Sequence, residues 1–186
     1  MIGLSDRADA LLLDASLSVL ARYPGWFPWA HAGCVAYVAN GVGERRLTCS
    51  PKPGRAAGAP LDALAGTRLT RRDGSVVELF AARRPSGEAW LELGEQRVAL
   101  EGSVGAQLAL GDLNGDGDAE LMTTQDTLEP GADFLLVRTL DGAGKLREAF
   151  RLPVPAGVRA LGVCPSSGDL LAPLLLSTGD ELWVLK

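Results

Sequence analysis

The chain has 186 residues, 47% of them hydrophobic and 22% charged, with a net charge of −5. That length can bury a real core in one large domain or two small ones, and the composition excludes a disordered chain. A net negative balance argues against nucleic acid, whose phosphates need a cationic face, and no stretch reaches the ~20 apolar residues of a membrane helix.

The first 33 residues read as a helix followed by an aromatic linker. Ser5 is placed to cap the helix, with Asp6 and Asp9 in its first turn, where acidic groups favour the dipole. Leu4, Leu11, Leu12, Ala15, Leu17, Val19 and Leu20 recur at helical spacing, Arg22 sits in the last turn, and Pro24-Gly25 ends it. No basic segment followed by a long apolar run precedes it, so no signal peptide is expected within this chain. Tyr23, Trp26, Phe27 and Trp29 then crowd into a short stretch broken by Pro24, Gly25 and Pro28. Burial between the helix and the first strand explains them better than an exposed sugar-stacking surface. His31 has no nucleophile motif to serve and reads as a linker residue.

Residues 34–186 read as all-β, because short strands alternate with turn signals at close intervals. Cys34–Ala39 would pair with 44–49 across Asn40-Gly41-Val42-Gly43, placing Cys34 opposite Cys49. A bridge there would close a short loop and add roughly 3 kcal/mol; the alternative is three buried free thiols, Cys164 among them. Residues 50–66 form a loop rich in Pro, Gly and Ala, completing a first segment at 34–66. A meander follows within 67–105, with strands near 67–71, 75–82, 88–93 and 96–101. Its turns fall at Asp73-Gly74, Pro85-Ser86-Gly87 and Gly94-Glu95. Arg68, Arg71, Arg72, Arg83 and Arg84 read as solvated strand and turn positions rather than an anion site.

The last third, segments 106–157 and 158–186, carries a weak repeat at an offset of 51 residues. Ala109-Leu110-Gly111 returns as Ala160-Leu161-Gly162, and Gly117-Asp118 as Gly168-Asp169. Phe134–Val137 has its counterpart, with a small shift, in Leu182–Leu185. Between β-like flanks, 107–110 and 121–124, lies the most informative stretch: Asp112-Leu113-Asn114-Gly115-Asp116-Gly117-Asp118-Ala119-Glu120. Its oxygen-rich side chains and two glycines suit a hard cation such as Ca²⁺, which takes six to eight oxygens. In the second copy Val163, Pro165 and Ser167 stand where Asp112, Asn114 and Asp116 stand in the first, so that loop should bind no metal.

Three readings of the acidic stretch compete. An EF-hand would need a bidentate Glu at position 12, which is Thr123, and a helix beyond it, which the sequence does not offer. An acidic turn that merely keeps a hairpin soluble is the bland reading, but carboxylates this dense repel one another without a cation. The third takes side-chain oxygens from Asp112, Asn114, Asp116 and Glu120 and a backbone carbonyl from Asp118. The run Leu110–Leu121 resembles the calcium-binding repeats of the FG-GAP or VCBS family, the blades of integrin-type β-propellers. Glu120 departs from that pattern, in which Asp is usual, yet still supplies a carboxylate.

The resemblance covers roughly 110–186 and implies blade-like antiparallel meanders, about three partial blades behind the N-terminal helix, with Ca²⁺ as cofactor. It implies a non-enzymatic module for protein or glycan interaction, secreted, periplasmic or surface-attached, where millimolar calcium and disulfides both persist. The alternatives are an accessory subunit of an envelope assembly, or a hydrolase using the acidic loop or a pair such as Glu78 and Glu92.

Overall fold

A computed structural model describes residues 5–6, 9–24, 26–31, 34–39, 61–94, 96–126, 129, 131–140, 144–164 and 171–185. The fold is mainly β, its sheets are antiparallel, and no helix occurs among these residues. None is therefore long and apolar enough to cross a membrane. The chain divides into two compact units, Met1–Leu64 and Ala65–Lys186.

In the first unit the expected helix is absent. Strands β1 (Ser5–Asp6), β2 (Asp9–Leu13) and β3 (Val19–Pro24) form sheet A, with Leu11 opposite Arg22 and Leu12 opposite Ala21. The Asp14 carboxylate reverses the chain by accepting N–H groups from Ser16 at 2.8 Å and Ser18 at 2.9 Å. An aspartate bonded to backbone two and four residues on builds a turn and removes the N–H groups a helix would use. Leu17, Val19 and Leu20, assigned above to a helical stripe, are exposed. Cross-strand pairing uses the apolar residues on both sides of Asp14 instead.

Sheet B joins β4 (Trp26–His31) to β5 (Cys34–Ala39), with His31 opposite Cys34 and Trp26 opposite Ala39. The aromatic run is therefore a strand rather than a linker. The return strand expected at 44–49, and with it the Cys34–Cys49 pairing, lies outside the described residues.

The second unit holds three sheets. Sheet C runs in order through β6 (Ala63–Thr70, which begins at the unit boundary), β7 (Val76–Arg83), β8 (Ala89–Leu93) and β9 (Gln96–Ala99). These match the expected meander, and its first two turns close as anticipated, whereas Glu95 of the third lies outside the described residues. Gly74 (φ 81°) donates to Arg71 O, and Gly87 (φ 89°) donates to Arg84 O. Sheet D comprises β10 (Leu108–Gly111), β11 (Glu120–Thr123), β12 (Phe134–Leu140) and β13 (Leu146–Pro153). Sheet E comprises β14 (Ala160–Val163), β15 (Leu174–Ser177) and β16 (Leu182–Leu185).

Side-chain alternation explains why sheet D lies between the other two. Leu110 and its cross-strand partner Leu121 pack with Leu79, Ala81, Ala89 and Leu91 of sheet C. Ala109 and its partner Met122 face the other way, packing with Leu174 and Leu176 of sheet E. β11 is buried along its whole length because it is covered on both faces. Fully burying each leucine or methionine there stabilises the fold by about 1.5–3 kcal/mol. The acidic loop, 112–119, hangs from the end of this doubly buried strand pair.

Candidate metal centre

The loop begins where β10 ends at Gly111 and returns at Glu120, the residue paired with Gly111. Asp112 organises it. Its Oδ1 accepts the N–H groups of Gly115 (2.7 Å) and Asp116 (3.1 Å), and its Oδ2 accepts that of Gly117 (2.9 Å). Gly115 and Gly117 adopt φ of 73° and 89°, a region in which a side chain would be strained. Asn114 Oδ1 takes the Asp116 N–H at 2.8 Å and Asp116 Oδ1 that of Asp118 at 2.8 Å, so each polar side chain tightens the next bend.

Convergence is partial. Asn114 Nδ2 donates to Asp116 Oδ2 at 3.0 Å and to Glu120 Oε1 at 3.1 Å, placing an amide donor between two carboxylates. Glu120 is only 4% exposed, and its Oε2 accepts the Leu113 N–H at 2.7 Å. Burial pushes the Glu120 carboxyl above its ordinary value; the Leu113 bond opposes this, and the negative charges of Asp116 and Asp112 add to it. Asp118 points elsewhere, its carboxylate 3.5 Å from the Arg71 guanidinium and largely exposed. Of the five nominated residues, then, Asn114, Asp116 and Glu120 meet, Asp112 holds the backbone, and the Asp118 side chain leaves the group.

Does this set fit Ca²⁺? The donors are all oxygens of the hard type, and a buried carboxylate facing a second carboxylate calls for positive charge. Among the described residues, however, no three His, Cys, Asp or Glu side chains are gathered closely enough to hold a metal. Chemistry fits; the closest grouping is two carboxylates and an amide.

Several residues behave otherwise than their sequence suggests. Arg83 is not solvated. It is 5% exposed, with Nε donating to Val104 O and Nη2 to Asp126 Oδ2, both at 2.6 Å. Strand alternation puts Arg83 on the same face of β7 as the buried Leu79 and Ala81, where a carbonyl and a carboxylate compensate the charge. Glu78 and Glu92 are held by different partners. Glu92 accepts Trp90 Nε1 at 2.6 Å and Arg97 Nη2 at 3.1 Å, while exposed Glu78 lies 3.9 Å from Arg68. Arg97 also stacks on the Trp90 ring, 4.6 Å from its centroid. Cys164 is a partly buried free thiol.

Asp133 carried no signal in the sequence, since a lone aspartate between Ala132 and Phe134 resembles any loop residue. It accepts N–H groups from Phe134 (2.8 Å), Gln125 (3.2 Å) and Val158 (2.8 Å), tying three segments together. A polar cleft beside it is lined by Gln107, Gln125, Asp126 and Arg159. Comparison with protein-family models, with curated proteins and with solved structures finds no match to this chain.

Proposed function

We propose that the chain is a non-enzymatic β-repeat module whose loop at 112–120 binds one Ca²⁺ in a structural role. Sheets C, D and E are read as successive blade-like repeats, with a protein or glycan surface on them supplying the biological activity outside the cell or in its envelope. One observation carries the metal reading. The buried Glu120 carboxylate and Asp116 converge on the Asn114 amide at the mouth of the buried β10–β11 pair. A divalent cation there would relieve like-charge repulsion far better than an amide dipole does. The spacing of Asp112, Asn114, Asp116 and Glu120, which resembles FG-GAP and VCBS loops, supports the same reading.

Asp112 would pre-order the loop, Asp116 and Glu120 would supply charged oxygens, and Glu120 would anchor the ion to the core. When bound, the ion would supply charge neutralisation and stabilise the fold by mass action above its Kd. Calorimetric titration of the chelated protein should show one Ca²⁺ site, lost in both Asp116→Ala and Asp112→Ala. Heat of binding unchanged in the two variants would overturn the assignment.

A further inference from the structure

A cleft of about 380 Å³ opens at the end of sheet D opposite the acidic loop, where the chain enters β10 and β12 and leaves β11 and β13. That volume lies at the small end of the range for small-molecule sites, roughly 300–1,000 Å³. Charged side chains fix its walls. Asp133 accepts the N–H groups of Gln125, Phe134 and Val158, so three contributing segments share one clamp. From sheet C, buried Arg83 reaches Val104 O and Asp126 Oδ2, both at 2.6 Å. Gly105 donates its N–H to Thr124 O at 2.8 Å, and a Cβ on it would strike Thr124 Oγ1. These bonds join one wall to another and leave a second set of polar groups unused.

Among the described residues, the side-chain amides of Gln107 and Gln125, the Arg159 guanidinium and Asp126 Oδ1 have no protein partner. Both glutamines are half-buried. A polar group drawn out of water without a partner costs free energy, so a ligand or ordered water has to satisfy these amides. The chemistry of the lining narrows the ligand. An anion is repelled, because Asp126, Glu129 and Asp133 line the cleft against the one cation of its walls, Arg159. A bare cation finds Asp133 committed to three N–H groups and Asp126 to Arg83. An apolar ligand meets only Ala106, Pro155, Ala156 and the buried Val158. A peptide backbone pairs best with a continuous row of backbone groups at a strand edge, whereas here the open groups are separate side chains.

We propose that this cleft binds a neutral saccharide, with a pyranose ring seated among Gln107, Gln125, Asp126 and Arg159. A hydroxyl both donates and accepts, and the open groups answer both needs. Each carboxamide offers donors and an acceptor, Asp126 Oδ1 only accepts and Arg159 only donates. Because Arg83 and Asp133 already hold the walls, little ordering remains to be done when the ligand arrives. No aromatic ring lines the cleft to stack on the sugar, so binding is weak, in the millimolar range. This rests on the glycan half of the reading above and names its site, and it is independent of the metal half.

Amide NMR spectra of the full chain, titrated with the methyl pyranosides of glucose, galactose and mannose, test this in saturating Ca²⁺ and again in chelator. At least one pyranoside should shift the amides of residues 105–107, 124–126 and 156–159 along saturable curves. Gln107→Ala and Gln125→Ala should each weaken that binding by about three- to tenfold, and Arg159→Met, which removes a charged donor, by about tenfold or more. Gln96→Ala, on sheet C, should bind as the wild type does, and well-dispersed spectra establish that each variant is folded. No saturable shift with any of the three pyranosides would overturn the proposal. So would shifts centred elsewhere in the chain, or binding indifferent to all three cleft substitutions. Stronger shifts of the same amides by glucuronate or by triglycine would also overturn it, in favour of an anion or a peptide. Saccharide binding that persists while no Ca²⁺ site is found would remove the metal reading alone, and the converse would remove this one alone.

Discussion

Asp14 and Asp112 perform the same local task in two different turns. Asp14 Oδ1 accepts the N–H groups of Ser16 and Ser18 and the Ser16 hydroxyl, all within 2.9 Å. Those donors hold its carboxyl below the ordinary value, the Ser16 hydroxyl contributing most and the Ser18 N–H next. That turn is exposed, electrically satisfied and complete. The loop that Asp112 organises differs in what lies behind it. Glu120 enters from a strand buried on both faces, so its charge is shielded from water, and Asp116 faces it with charge of the same sign. Aspartate bonding to backbone therefore marks a turn; a second carboxylate forced inward by a strand marks a place where positive charge is wanted. The same contrast extends to conformation. The acidic loop places glycines at its positive-φ positions, whereas the Asp14 turn places Leu17 there, at φ 64°.

The sharpest way to break this contrast is Glu120→Gln. Because the folded state keeps the Glu120 proton to higher pH than the unfolded chain, its contribution to stability is full at acid pH and falls as pH rises through the raised value. In chelated protein the variant should abolish that part of the decline and melt about 2–4 °C above wild type at neutral pH, corresponding to roughly 1 kcal/mol. With saturating Ca²⁺ the order should reverse, since glutamine is the weaker ligand. Melts of both proteins across pH, with and without calcium, decide the matter; identical pH profiles would show that Glu120 is not a strained charge.

The conformational half of the contrast gives effects of opposite sign in the two turns. Gly117→Ala should destabilise the protein by about 1–2 kcal/mol, because a Cβ is strained at φ 89° and would approach Arg72 N at 3.3 Å. Leu17→Gly should stabilise the first unit by up to about 1 kcal/mol, by relieving the only positive φ at a non-glycine among the described residues. Chemical denaturation of the two variants against wild type measures both, and a destabilised Leu17→Gly would show that the leucine does more than fill the turn.

Smallest of all is Asp118. Its ion pair with Arg71 is wide and solvated, so Asp118→Ala should change stability by less than about 1 kcal/mol. If Asp118 lends its backbone carbonyl rather than its side chain, Ca²⁺ affinity should also stay nearly constant. A large loss of affinity would return the Asp118 carboxylate to the ligand set and move it away from Arg71.

Much of the second unit was legible because strand alternation and glycine turns act locally. Asp73-Gly74 and Pro85-Ser86-Gly87 mark chain reversals whatever surrounds them, and the aliphatic pairs flanking the acidic loop could only form a buried ladder. The first unit was illegible for an equally local reason. Leucines, alanines and valines around Asp14 satisfy helical spacing and strand alternation alike, and the choice fell to an aspartate bonding to the backbone two and four residues ahead. At the loop, the sequence named five oxygen donors but not their directions. It could not show that Asp112 would be spent on backbone N–H groups, or that Asp118 would turn to an arginine more than forty residues earlier.

By itself, then, the sequence determined the β character of the described residues from 34 onward, the position of the acidic loop and the repeat that follows. These depend on periodicity and on residue types whose conformational preferences are intrinsic. Tertiary structure alone decided the rest. Arg83 is buried because Val104 and Asp126 wait for it, sheet D is the middle layer because both its faces are apolar, and Glu120 is shielded because β11 is covered on both sides. Burial and charge compensation are set by neighbours distant in sequence, and no local pattern can state who those neighbours will be.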